Sequence, residues 1–314
     1  MRETRDQKSG ETVMVCEVGP RDGLQMAKTI MSTERKQEWI AAMAGAGVRE
    51  IEVGSFVPAR LIPQMADTER VVHNVVKIAG LTVVALAPNL RGAQAAYAAG
   101  AHHITMPVSV SEGHSRANLN RSPSEQVAEL GRVAAWLKAQ TRQVTLEAAC
   151  STAFGCSIDG VVSPAQVLTV ASGLAEAGVA ELSLCDTVGY AHPAQVRALV
   201  TAVRAEVGAV LQGLHLHDTM GLGLANALAG LEVGIRNFDS ALAGLGGCPF
   251  APGASGNIVT EDLVFMLESM GFSTGIDLDR LIAARALLHD ALPGEALHGG
   301  VSRAGIPKTF RKAA

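Results

Sequence analysis

Two imidazoles stand two residues apart in Leu214-His215-Leu216-His217-Asp218. In an extended strand alternate side chains share a face, so His215 and His217 project together while Leu214 and Leu216 turn to the other side. A lone histidine inside a fold is ordinarily a hydrogen-bonded core residue, whereas a pair projecting from a strand end is a metal-ligand arrangement. A hard cation also needs oxygen, and two other segments can bring it: Asp22, within Glu17-Val-Gly-Pro-Arg-Asp-Gly-Leu-Gln25, and the amide of Asn257. Together Asp22, His215, His217 and Asn257 form a mixed nitrogen and oxygen set with positions left for substrate and water. That suits Mg²⁺ or Mn²⁺ better than a closed cysteine and histidine zinc site.

Arg21 lies beside Asp22, and taken alone such a pair reads as a surface ion pair. Gly19, Pro20 and Gly23 around it combine rigidity with backbone freedom, which predicts that both side chains are aimed inward. A fixed guanidinium next to a cation site can bind an oxyanion, the equipment of enolate chemistry. Glu52, in Ile51-Glu-Val-Gly-Ser55, is a carboxylate in an apolar strand that either orients Arg21, relays a proton or is a buried structural partner. Ser183 and Asp186, in Leu182-Ser-Leu-Cys-Asp186, are candidates for substrate contact at a strand end, with Cys185 turned away and packed.

The segment from Gly244 to Asn257 surrounds one thiol, Cys248, with glycines. Glycine loses more backbone freedom on ordering than any other residue, so this composition marks a loop that approaches a ligand or closes over one. Cys248, Pro249 and Phe250 are poor choices for a solvated connector.

Behind these residues the chain repeats one unit. Apolar, β-branched runs at 12–18, 49–53, 81–85, 102–108, 143–148, 179–184, 212–217 and 235–241 alternate with helix-forming stretches. The helices are expected near 32–46, 66–79, 90–99, 123–139, 163–177, 192–206, 219–232 and 260–270, several ending at glycine. Eight consecutive strand and helix units, with no Gly-x-Gly-x-x-Gly after the first strand, favour a closed (β/α)₈ TIM barrel over an open doubly wound sheet. In that fold catalytic groups sit at the C-terminal ends of the strands, where Asp22, Glu52, Asp186 and the two histidines fall. The expected organisation is a flexible N-terminus over 1–11, a catalytic barrel over 12–271 and a C-terminal helical extension over 272–314 packed on the barrel.

Composition narrows the function classes. The 314 residues are 48% hydrophobic and carry a net charge of -4, enough for one large aliphatic core and without a run of Lys or Arg for nucleic acid or an acidic membrane surface. The N-terminus lacks the apolar stretch of a signal peptide and no later run is long enough to span a bilayer, so the expected location is cytoplasmic. Five cysteines without a Cys-x-x-Cys pair are expected to be free thiols.

The chain resembles 3-hydroxy-3-methylglutaryl-CoA lyase, of a metal-dependent superfamily that also contains isopropylmalate and homocitrate synthases. The resemblance runs from about Val13 to about Gly275 and is most specific in Glu17–Gln25, His215-Leu-His-Asp-Thr219 and Ala243-Gly-Leu-Gly-Gly-Cys-Pro-Phe250. It implies Asp22, His215, His217 and Asn257 as metal ligands, Arg21 as enolate stabiliser, Cys248 as proton donor or relay and Glu52 as an active-site residue. It also implies Ser111, Ser183 and Asp186 as contacts to the acyl part of the substrate, an acyl-CoA partner and a homodimer. The reaction implied is a retro-Claisen cleavage to acetyl-CoA and acetoacetate, with Asp22 or His215 taking the hydroxyl proton.

Met26, Gly54, Pro58 and Cys185 depart from the pattern without removing a proposed catalytic side chain, which leaves a longer 3-hydroxy-3-alkylglutaryl-CoA as an alternative substrate. A condensing acyltransferase of the synthase branch is a second reading. Against it stand the cysteine loop and a tail of about forty residues, short for a regulatory domain. A metal-dependent hydrolase, whose His-x-His pair is expected on the first strand, and a non-catalytic protein that retains a metal site are the further alternatives.

Overall fold

Eight strands pair in chain order and the eighth closes on the first, as the computed structural model shows for residues 10–247 and 256–312. The strands are β1 (Met14–Glu17), β2 (Glu50–Ser55), β3 (Thr82–Leu86), β4 (His103–Ser109), β5 (Thr145–Ser151), β6 (Glu181–Asp186), β7 (Leu211–Leu216) and β8 (Asn237–Ser240), all parallel. Parallel neighbours need a crossover, and helices supply it. They are α1 (Thr33–Gly45), α2 (Thr68–Val75), α3 (Leu90–Ala99), α4 (Glu112–Leu119), α5 (Pro123–Lys138), α6 (Pro164–Glu176), α7 (Pro193–Val207), α8 (Gly223–Glu232) and α9 (Thr260–Ser269). The extension adds α10 (Leu278–Ala291) and α11 (Gly300–Ala304).

Local chemistry explains the helix starts. Ser122 and Ser163 accept the amides of Glu125 and Gln166, whose side chains return to the cap amides, and proline occupies the first turn of α5, α6 and α7. The segment 219–222, expected as helix, is instead a turn, and α8 starts at Gly223, whose amide donates to Asp218 Oδ1 at 2.7 Å. The sequence reading also missed α4 and α11, both short and without a clear apolar period.

The aliphatic core lies between the strands and the helices, with Trp39, Ile40, Met43, Leu130, Leu174 and Leu182 almost wholly buried. Each such side chain contributes about 1.5–3 kcal/mol by leaving water. The extension is fastened at both ends. Asp277 N donates to Ala46 O at 2.7 Å, and the amides of Gly300 and Val301 donate to Asp262 at 2.7 and 2.8 Å. Gly47, at φ 104°, leaves no room for a side chain: a Cβ there would lie 2.4 Å from Gly275 O. No helix among the described residues is long and apolar enough to cross a membrane.

Candidate active site

After β1 the backbone makes one wide turn, Gly19–Gly23, in which the amides of Arg21, Asp22 and Gly23 all point at Val18 O. The turn fits because Gly23 comes against the base of the glycine loop, where a Cβ would meet Leu245 Cβ at 2.8 Å. It delivers Arg21 and Asp22 to the barrel mouth as the sequence pattern predicts. Arg21 Nε donates to Glu52 Oε2 at 2.6 Å and Nη1 to Asp22 Oδ1 at 2.5 Å, while Gln25 Nε2 donates to the same Asp22 oxygen at 2.6 Å. Glu52 therefore orients Arg21 through one oxygen, and its Oε1 is buried without a partner.

From β7, His215 and His217 project to one side, their Nε2 atoms 3.1 Å apart. Asp22 Oδ2 lies 3.9 Å from His215 Nε2 and 3.6 Å from His217 Nε2, so one ligand atom from each residue falls within 4.8 Å of the others. Asn257 reaches the cluster by a backbone detour. Asp218 N donates to Gly256 O at 2.9 Å and Ile258 N to Leu216 O at 3.2 Å, so the chain leaving the glycine loop runs antiparallel beside the end of β7. There Asn257 Nδ2 donates to Asp22 Oδ2 at 2.7 Å and to Leu245 O at 3.1 Å, and its Oδ1 is buried and unpaired.

These residues fit a divalent cation. Buried polar atoms are normally paired, so facing imidazole nitrogens and an orphaned amide oxygen beside a carboxylate mark an ion site. Burial opposes ionisation of Asp22, but Arg21 and the neighbouring histidines outweigh it and hold its carboxyl well below the usual range, as a ligand requires. Burial pushes the Glu52 carboxyl up to about 7 despite Arg21.

Asp239 on β8, which the sequence reading did not single out, lies 3.0 Å from His215 Nδ1 through its Oδ2. Such a contact holds the ring proton on Nδ1 and leaves the Nε2 lone pair for a metal. A carboxylate in the short strand Asn237-Phe-Asp-Ser240 was the available signal.

The cavity around the cluster has a volume of about 410 Å³. Ser183 and Cys185 line it, whereas Asp186 and Ser111 do not. Alternation along β6 turns Ser183 and Cys185 inward together, which corrects both the packed assignment of Cys185 and the rim assignment of Asp186. The Asp186 carboxylate instead accepts the amides of Tyr190 and Ala191 and shapes the loop after β6. Ser111 stands at the N-terminal boundary of α4 without a side-chain bond to its amides, and its own amide donates to Thr152 Oγ1 at 3.2 Å, so it ties two loops together beside the cavity. Cys248 lies outside the described residues; its neighbour Gly247 lines the cavity.

A family model described as HMGL-like matches residues 12–288. The chain is 41% identical over 305 residues to (R)-citramalyl-CoA lyase of Chloroflexus aurantiacus, covering 94% of this chain and 95% of that protein. It is 42% identical over 281 residues to the mitochondrial hydroxymethylglutaryl-CoA lyase of Homo sapiens, covering 89% and 86%. An HMG-CoA lyase from Acinetobacter baumannii, solved in complex with coenzyme A and 3-methylmalate, superposes with a TM-score of 0.88 at 39% identity, covering 96% of this chain and 97% of that one.

Proposed function

Because the chain belongs to the HMGL-like family and is a carbon–carbon lyase, we propose that it cleaves 3-hydroxy-3-methylglutaryl-CoA to acetyl-CoA and acetoacetate with Mg²⁺ or Mn²⁺. The observation that carries this reading is the convergence of Arg21 and Asp22 after β1, His215 and His217 from β7 and Asn257 after the glycine loop on one mouth of the barrel. Asp22, His215, His217 and Asn257 would hold the cation. When bound, it supplies Lewis-acid polarisation of the substrate hydroxyl.

The hydroxyl on C3 gives up its proton, the C2–C3 bond breaks, C3 becomes the ketone of acetoacetate, and the electron pair stays on C2 as the enolate of acetyl-CoA. The Nδ1 proton of His215 is held by Asp239 and its Nε2 lone pair would serve the cation, so the hydroxyl proton is assigned to Asp22, whose carboxylate has lone pairs beyond the one that would hold the ion. Arg21, locked by Glu52 and Asp22, places a fixed positive charge for the developing enolate oxygen. Cys248 is assigned protonation of the enolate carbon, since it stands one residue beyond a cavity-lining glycine. The CoA complex of the Acinetobacter relative supports an acyl-CoA substrate.

The relative named (R)-citramalyl-CoA lyase favours a second substrate on the same chemistry. In citramalyl-CoA the carboxylate is attached directly to the carbinol carbon, and the same bond cleavage gives acetyl-CoA and pyruvate. The test is to incubate the protein and Mg²⁺ or Mn²⁺ with both thioesters and with longer 3-alkyl homologues, following acetyl-CoA and the keto product. Faster release from the methylglutaryl compound supports the proposal; turnover of citramalyl-CoA or a longer homologue without it overturns the substrate. Silence from every compound overturns the lyase assignment.

A further inference from the structure

TIM barrels normally fill their axis with layers of branched apolar side chains. In this chain the cavity that opens at the catalytic mouth continues down the barrel, past Ala149, Ser183 and Gly213, to residues at the opening ends of the strands such as Glu50, Glu181 and Asn237. Small side chains keep that passage open: Ala149 pairs in register with Ser183, and Ser183 with Gly213.

The lower part is strongly acidic. Glu50, Glu147 and Glu181 line it, with His103 as their basic neighbour. His103 Nε2 lies 3.4 Å from Glu147 Oε2 and its Nδ1 4.0 Å from Glu50 Oε2, and Thr105 Oγ1 donates to Glu147 at 3.0 Å. Arg21 is the only arginine or lysine among the described residues lining the cavity, and it is committed to Glu52 and Asp22 above. Burial pushes the Glu50 carboxyl up to about 7 against His103, and the neighbouring carboxylates add to the rise. An independent observation points to an occupant. Ser183 Oγ, in a residue 3% exposed and on the cavity wall, makes no hydrogen bond of ordinary geometry and has the Glu147 carboxylate facing it.

Resting on the lyase reading above, we propose that this hollow is a subsite for the C3 substituent of the acyl-CoA, and that it selects a substituent ending in hydrogen-bond donors, cationic before hydroxylic, over a plain alkyl chain. From His215 to Gly213 is two residues, about 6.6 Å at the rise of a strand. A substituent of four heavy atoms covers most of that distance, and a hydrogen bond of about 2.8 Å from its end group covers the rest toward Glu50, Glu147 and Ser183. A guanidinium meets two carboxylates as a fork.

The test uses three 3-hydroxyglutaryl-CoA thioesters that differ at C3: propyl, 3-hydroxypropyl and 3-guanidinopropyl. Dissociation constants are measured by calorimetry, and acetyl-CoA release alongside. The guanidinopropyl compound is expected to bind at least ten-fold tighter than the propyl one, with hydroxypropyl between them. Glu50→Gln should reduce that ratio, and Ala149→Leu should abolish it while leaving cleavage of the methyl compound within a few-fold. Equal or tighter binding of the propyl compound, or a ratio unchanged in Glu50→Gln, overturns the subsite. Stimulation of methyl-compound turnover by ammonium chloride, without any preference among substituents, overturns it in favour of a free cation. Preferential binding without acetyl-CoA release retains the subsite and refutes the lyase assignment; release without preference does the reverse.

Discussion

Replacing Asp239 tests whether the barrel presets the metal-binding face of His215. The Asp239 carboxylate faces Nδ1 at 3.0 Å and keeps the ring proton there, so Nε2 points its lone pair at the cluster. In Asp239→Asn the amide presents either a donor or an acceptor to that nitrogen. The donor orientation moves the proton to Nε2, which must then be displaced before a cation can bind. Contacts of this kind are worth about 10- to 100-fold in metal affinity or activity, or about 1.4–2.7 kcal/mol. The Asp239 side chain is 29% exposed to the cavity, and the amide can rotate, so water and the acceptor orientation recover part of the loss. The expectation is therefore about ten-fold for Asp239→Asn, toward the lower end of that range, and more for Asp239→Ala. Fluorescence competition with a divalent-cation indicator measures the affinity, and acetyl-CoA release at saturating metal separates weaker loading from slower chemistry. Unchanged metal affinity and unchanged kcat/KM in both variants would refute the role given to Asp239.

Other expectations follow from the same geometry. Gly246 sits at φ 131°, where a Cβ would lie 2.6 Å from Asn257 Nδ2, so Gly246→Ala should displace Asn257 and weaken metal binding while the helices keep their far-ultraviolet signal; wild-type affinity would count against Asn257 as a ligand. A divalent cation at a hundred times its Kd should stabilise the native state by about 2.7 kcal/mol, read as a Tm rise that a chelator reverses and that Asp22→Ala and His217→Ala lack. Burial pushes the Glu17 carboxyl up to about 7, against donors from Thr260, Leu242 and Gly19. The folded state thus holds this proton to higher pH than the unfolded chain, where the ordinary value is 4.5. Its contribution is full below about pH 4.5 and lost as pH rises toward 7, a fall of order 3 kcal/mol from this group. In Glu17→Gln the amide oxygen still accepts Gly19 N and Leu242 N, so the variant should flatten the unfolding free energy over that range; an unchanged slope refutes the assignment.

The eight-unit barrel was legible because strand and helix periods alternate without interruption, and the metal cluster because His-x-His fixes a shared face in any strand. Which face turns inward was harder. Ser183, Cys185 and Asp186 sit side by side at one strand end, and only the closed register decides that the first two enter the cavity while Asp186 serves a loop. Asp239 escaped notice because its meaning depends on a neighbour 24 residues away, across one ladder. The acidic interior was illegible for the same reason. Glu50 and Glu181 open their strands and Glu147 is third in β5, ordinary positions in sequence that only barrel closure gathers around one axis.

The antiparallel pairing of Asn257 with the end of β7 makes the two proposed tasks of the glycine segment separable parts. Asn257 is seated by the backbone bonds of its two neighbours, Asp218 N to Gly256 O and Ile258 N to Leu216 O, while on the other side Gly244 N donates to Ala241 O just after β8. The position of Asn257 is thus set by β7 and not by the glycines that precede it. The amide that faces Asp22 therefore belongs to the barrel wall as much as the two histidines do, and its address is written in the strand it pairs with.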